Sequence, residues 1–81
     1  MPQTLGARIR YARTRYGMSQ AELARRIGVS ATTLNSIESG KTPDPGILKI
    51  TAIALALRVR MDYLTGLTEE MDSKQLAAAA L

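Results

Sequence analysis

Hydrogen-bonding side chains, rather than nucleophiles or metal ligands, are the chemically useful groups in this chain. The sequence contains no histidine and no cysteine, which excludes Ser-His-Asp and Cys-His catalytic sites and His/Cys zinc sites. It also lacks the GxGxxG and GxxxxGK phosphate loops, and its acidic residues form no obvious converging pair. We therefore expect a binding protein that is not an enzyme and that requires no metal and no cofactor.

The stretch ATTLNS (31–36) places small and polar residues on one face of a predicted helix, opposite Leu34 and Ile37. An asparagine on such a face can pair with adenine N6 and N7 through two hydrogen bonds, and an alanine or threonine methyl can contact a thymine methyl. An ordinary solvated helix face has a similar composition, so these residues alone leave both interpretations open. The four residues of this face are Ala31, Thr32, Asn35 and Ser36.

Two short helices with a tight corner between them would position this face. Ser19 and Glu22 have the spacing of a capping box at the start of the first helix, and Ser30 provides a cap for the second. A glycine follows each helix, where a left-handed terminating residue is least strained as glycine. The two glycines are Gly28 and Gly40. Two helices joined by such a glycine-containing turn have the geometry of a helix-turn-helix.

The run SQAELARRIGVSATTLNSIESG (19–40) resembles the helix-turn-helix of the phage Cro/repressor family. The similarity extends to IRYAR (9–13) and ILKITAIALALRVRMDYLTG (47–66), so it covers roughly residues 5–66. It implies an all-α, lambda-repressor-like bundle of five short helices. It also implies a transcriptional regulator that binds double-stranded DNA sequence-specifically. The matching positions include Gln20, Leu23, Ala24, Gly28, Val29, Ser30, Leu34, Ile37, Glu38 and Gly40.

The resemblance also implies roles for single residues. The second helix, about 31–39, would enter the major groove with its N-terminal residues near base edges. Gln20 would contact a backbone phosphate, and Arg13 would form a buried ion pair with Glu38. Relatives often carry Lys or Arg in the loop after this helix, whereas this chain has Pro43 and Asp44, so we expect low affinity per domain. Further phosphate contacts are predicted for Ser19, Thr33, Ser39 and Lys41.

Charge is unevenly distributed along the chain. Residues 1–60 contain ten Lys and Arg against three acids, a net charge of +7, whereas residues 61–81 carry a net charge of −3. A basic body suits a polyanionic partner such as nucleic acid. The alternative is that these cations simply solvate helix faces, and charge alone does not separate the two interpretations.

Apolar spacing and caps predict helices at about 5–16, 20–27, 31–39 and 61–65, and a fourth helix capped by Asp44 with Pro45 at its first position. Arg58 and Arg60 depart from the family pattern, which usually has a glycine and a Ser, Thr or Asn there. We divide the chain into a DNA-binding domain, 1–66, and a tail, 67–81. Thr68, with two acids in the next turn, is a reasonable start for an extra C-terminal helix.

A homodimer on a palindromic operator is the predicted assembly, because one domain offers few phosphate contacts. The alternative is a protein-interaction module, such as an antitoxin or a regulator whose tail binds a partner protein. The apolar run Ile47–Leu57 is too short to span a membrane and contains Lys49, and no signal peptide is evident, so we expect a cytoplasmic protein with no membrane partner. The predicted dimer interface consists of Met61, Tyr63, Leu67, Met71, Leu76 and Leu81.

Overall fold

A computed structural model describes residues 2–71, and these form five helices. The order confirms the all-α, five-helix prediction, and the predicted bounds of the first, second, third and fifth helices are confirmed as well. Leu76 and Leu81, and most of the predicted tail helix, lie outside the described residues. The helices are α1 (Leu5–Tyr16), α2 (Gln20–Ile27), α3 (Ala31–Ser39), α4 (Ile47–Leu57) and α5 (Met61–Thr65).

Local capping sets the corner between α2 and α3. The Ser19 and Ser30 hydroxyls each accept a hydrogen bond, at 3.0 Å, from the backbone amide three residues ahead. Gly28 ends α2 with φ of 76°, a left-handed conformation that favours glycine. The Glu22 carboxylate accepts from Arg26 at 3.1 Å, so only the serine half of the predicted capping box forms.

The core is aliphatic, apart from one tyrosine. α1 packs against α3, α4 and α5, while α2 packs against both α3 and α4. Gly6 allows the closest approach, since a Cβ there would overlap the backbone carbonyl oxygens of Ile37 and Glu38. The buried apolar residues are Ile9, Ala12, Met18, Leu23, Ala24, Leu34, Ile37, Ile50, Ile53, Ala54, Leu57, Tyr63 and Leu64.

The predicted start of α4 is wrong by two residues. Asp44 does not cap the helix, because its carboxylate accepts from the Gly46 amide at 3.0 Å and closes a turn before the helix begins. Gly46 then takes a φ of 93° and stands at the N-cap position without a side-chain hydrogen bond. Pro45 therefore belongs to the loop, and α4 begins at Ile47.

The segment after α5 folds back onto the domain instead of starting a helix at Thr68. The buried Arg8 guanidinium donates to the Tyr63 carbonyl at 3.0 Å and to the Glu69 carboxylate at 2.9 Å. The Arg60 amide donates to the Met71 carbonyl at 2.9 Å. Glu69 and Met71 are therefore held against the helical part of the structure. Within residues 2–71, no helix has the length and apolar character needed to cross a membrane.

Candidate nucleic-acid interface

The outer face of α3 is polar and open. Ala31, Thr32 and Asn35 are exposed and Ser36 is half-buried. Leu34 and Ile37, on the opposite side of the helix, are buried in the core. The 3.6-residue period therefore brings the four predicted base-reading residues together on one accessible surface.

Glu38 is the only charged residue of α3, and it does not reach that surface. Its side chain has no exposed area, and its two oxygens accept hydrogen bonds from α1 and α2. Arg13 Nε lies 2.8 Å from Oε2, and the Arg13 fork adds a second bond of 3.1 Å to Oε1. Arg10 Nε and Gln20 Nε2 approach Oε1 at 3.4 and 3.1 Å. The buried carboxylate thus holds α1, α2 and α3 in fixed relative positions.

Arg10 is a member of this network that the sequence reasoning missed. It precedes Arg13 by three residues and so shares its helix face, which was the available signal. Its side chain is more than half exposed, while its Nε faces Glu38. Two arginines around one carboxylate leave a net positive charge at the edge of the α3 surface.

Gln20 connects the buried network to the open face. Its side-chain nitrogen donates to the Glu38 carboxylate at 3.1 Å and to the Asn35 side-chain oxygen at 3.4 Å. The amide of Gln20 can reach a phosphate only by exchanging one of these bonds, because an amide has two N–H donors. The same contact orients Asn35 on the face of α3.

The other predicted phosphate-contacting residues lie around this surface with their polar groups partly engaged. Ser19 caps α2, the Thr33 hydroxyl accepts from the Ser30 hydroxyl at 2.9 Å, and the Ser39 hydroxyl donates to the Ser36 carbonyl at 3.3 Å. Lys41 is exposed just after α3. Among residues 31–46 it supplies the single positive charge.

The predicted dimer interface is only partly accessible in the described part of the chain. Tyr63 is wrong as an interface residue, because it is 1% exposed and its ring lies 5.0 Å from the Arg8 guanidinium. Met61 and Met71 are half-buried and pack against the core. Leu67 is the exposed member of the set in residues 2–71.

Similarity to known proteins agrees with this geometry. Residues 9–64 match the family described as helix-turn-helix. An uncharacterized HTH-type transcriptional regulator of Archaeoglobus fulgidus is 39% identical over 57 residues, which are 70% of this chain and 80% of the relative. The P22 c2 repressor, solved with a synthetic operator, has a TM-score of 0.72 at 33% identity, covering 79% of this chain and 96% of its own. The N-terminal DNA-binding domain of SinR from Bacillus subtilis has a TM-score of 0.70 at 33% identity, covering 74% and 87%.

Proposed function

The chain belongs to the helix-turn-helix family and is a DNA-binding transcription regulator, and from that premise we propose that it acts in the cytoplasm with α3 inserted in the major groove of an operator. The family and fold are those of DNA-binding regulators, which are not enzymes. The P22 c2 repressor, which this chain resembles, was solved with operator DNA.

The observation that carries the proposal is the burial of the α3 carboxylate. The Glu38 side chain points into the core, where it accepts hydrogen bonds from Arg10, Arg13 and Gln20. The outer face of α3 therefore presents no negative charge to DNA. A buried, paired acid of this kind orients the helix without repelling phosphates.

Base reading falls to the open face in this proposal. Asn35 pairs with adenine N6 and N7 through its amide, and the methyl groups of Ala31 and Thr32 contact thymine methyls. The Ser36 and Thr32 hydroxyls pair with several bases and discriminate little. Gln20 orients Asn35 in the free protein and exchanges that bond for a phosphate on binding, which accounts for its position between the two.

Phosphate contacts are few. Ser19, Thr33, Ser39 and Lys41 are the remaining candidates, and Lys41 is the only one with a formal charge. A single domain therefore gains little from counterion release. We infer that two copies bind an inverted repeat, with their recognition helices about 34 Å apart on one side of the duplex.

Selection of duplexes from a random library by the full chain tests the proposal. We expect enrichment of two inverted half-sites about 10 base pairs apart, centre to centre. Affinity for the selected duplex should fall as salt rises, because the phosphate contacts of the two bound copies release counterions.

The matched control is Thr65→Ala, because Thr65 is exposed on α5, away from α3. This variant should select the same sequence as the unchanged chain. Failure of the full chain to enrich any sequence would contradict base reading. Enrichment of an isolated half-site would contradict the proposed dimer but not base reading by α3.

A further inference from the structure

α4 carries a second apolar face that points away from the core. Ile50, Ile53, Ala54 and Leu57 face inward and are buried. On the opposite side of the helix, Leu48 is 83% and Leu55 75% exposed, and Ile47, at one edge, is 64% exposed. α4 is therefore apolar on two faces, and a second apolar face on a helix usually contacts a partner. We call the line of Leu48, Ala52 and Leu55 the α4 outer stripe.

The α4 outer stripe has a large–small–large pattern. Its members are four and three residues apart, so they stack along one helix face. Beside the stripe lies an open depression of about 440 Å³, lined by Arg26, Ala52, Leu55 and Ala56. The small Ala52 leaves a notch between two leucines that a leucine side chain from another helix can fill.

We propose that the occupant of the α4 outer stripe is the same stripe of a second copy, with the two α4 helices antiparallel about a two-fold axis near Ala52. This inference rests on the homodimer in the proposed function and assigns its interface. The stripe is self-complementary, because antiparallel pairing places Leu48 of one copy against Ala52, Leu55 and Ala56 of the other. A two-fold interface requires such a surface, since each patch contacts its own equivalent.

Charge supports a second copy over an acidic partner. Arg26 at the edge of the depression is already paired with Glu22 at 3.1 Å, so it offers no surplus cation. Lys49 is the only charged residue of α4, and its aliphatic stem can lie along the interface while its ammonium stays in water. Among residues 2–71, no carboxylate lines the depression.

The position of α4 leaves α3 free. α3 packs on α1 and α2, whereas α4 packs on α2, α5 and α1, and the two leucines of its outer stripe remain exposed. A second copy on the stripe therefore does not cover the base-reading residues.

Three side chains from each copy form a small interface. Stable protein interfaces bury about 1,600 Å² in total, which this stripe does not reach by itself. We therefore expect weak self-association in solution, at about 10 µM to 1 mM. Binding of two copies to neighbouring half-sites raises their effective concentration and makes a weak contact sufficient.

Sedimentation of the full chain over about 10 µM to 1 mM tests the inference, with Leu55→Glu as the disrupting variant. Because each dimer loses two buried leucines, its dissociation constant should rise about a hundredfold or more. Leu67→Glu is the matched control, since Leu67 is 81% exposed but lies outside the stripe. It should associate like the unchanged chain. Circular dichroism checks that both variants are folded.

A cross-link provides an independent readout, because the chain has no cysteine. Ala52→Cys should give a disulfide-linked dimer under mild oxidation, and Leu67→Cys should give far less. Cross-linking that favours Leu67→Cys, or association unchanged by Leu55→Glu, would overturn the stripe and point to the C-terminal third instead.

A chain that stays monomeric at about 1 mM, with no cross-link at Ala52→Cys, would overturn both the stripe and the proposed dimer. The salt dependence of DNA binding tests the proposed DNA-binding function separately from dimer formation. It should persist in Leu55→Glu on a single half-site, whichever way the association experiments turn out.

Discussion

Replacing Glu38 with glutamine should destabilise the fold strongly, although the side chain keeps its shape. The Glu38 carboxylate is fully buried and receives hydrogen bonds from Arg10, Arg13 and Gln20. Glutamine removes the negative charge and leaves the mostly buried Arg13 guanidinium beside a neutral amide. Removing one side of a buried ion pair costs about 3–5 kcal/mol. Since water can solvate the more exposed Arg10, we expect the lower end of that range, about 3 kcal/mol.

Thermal and urea denaturation of the full chain measure this loss. For a domain of this size, about 3 kcal/mol lowers the melting temperature by about 12–24 °C. Glu22→Gln is the matched control, because Glu22 also pairs with an arginine, Arg26, but both partners are partly exposed. An exposed pair four residues apart on a helix contributes about 0.3–0.5 kcal/mol.

The fold should be less sensitive to replacement of the other partner in the ion pair, Arg13. Arg13→Met leaves the Glu38 carboxylate with Arg10 and Gln20, so it should destabilise the fold less than Glu38→Gln. The double variant then gives the coupling energy between Arg13 and Glu38. If Glu38→Gln and Glu22→Gln melt at the same temperature, the carboxylate does not hold the three helices together and the reasoning is refuted.

Four further outcomes follow from the structure. Asn35→Ala should lose about 1–3 kcal/mol of binding free energy on the selected duplex and relax the preference at one base pair. Unchanged sequence selectivity in binding assays would show that Asn35 does not read a base. Gln20→Ala should weaken binding to selected and random duplexes by a similar factor, as measured by titration, and a loss confined to the selected duplex would show that Gln20 acts through Asn35. Gly6→Ala should destabilise the fold by about 1–3 kcal/mol or more in urea denaturation, because its methyl group would overlap backbone carbonyls of α3. In the control, Thr14→Ala, the replaced side chain is exposed, so stability should change by less than about 0.5 kcal/mol. Burial raises the pKa of Tyr63 despite the opposing effect of Arg8. The neutral phenol therefore stabilises the fold below about pH 10, and that contribution is lost as the pH rises through the folded-state pKa. In urea melts, Tyr63→Phe should lose less stability at alkaline pH than the unchanged chain.

Features encoded by neighbouring residues were predictable from the sequence. The ends of α2 and α3 depend on Ser19, Gly28 and Ser30, each acting within four residues, and the open face of α3 follows from its apolar period. The start of α4 was missed because two local signals compete. Asp44 can cap a helix or close a turn, and the positive φ of Gly46 favours the turn.

Contacts between distant residues were not predictable in the same way. Tyr63 was assigned to the dimer interface, because its partner Arg8 lies 55 positions earlier and no local pattern shows that the residue is buried. The bonds of Gln20 to Asn35 and Glu38 span 15 and 18 positions, and no local pattern encodes them. The family resemblance supplied the Arg13–Glu38 pair, but it gave no indication of Arg10. Tertiary packing decided each of these cases.

The contacts of Arg8 also constrain when the domain can fold during synthesis. Arg8 lies in α1, but its hydrogen-bond partners include the Tyr63 carbonyl and the Glu69 carboxylate, the latter 61 positions later. At about 5–20 residues per second, translation takes about 3–12 seconds to supply Glu69 after Arg8. Until then, the Arg8 guanidinium must stay hydrated, and α1 cannot complete its packing against α5. The nascent chain therefore cannot complete the packing of α1 against α5 until Glu69 has been synthesised, and a ribosome stalled before residue 63 carries a domain that lacks most of α5 and these Arg8 hydrogen bonds.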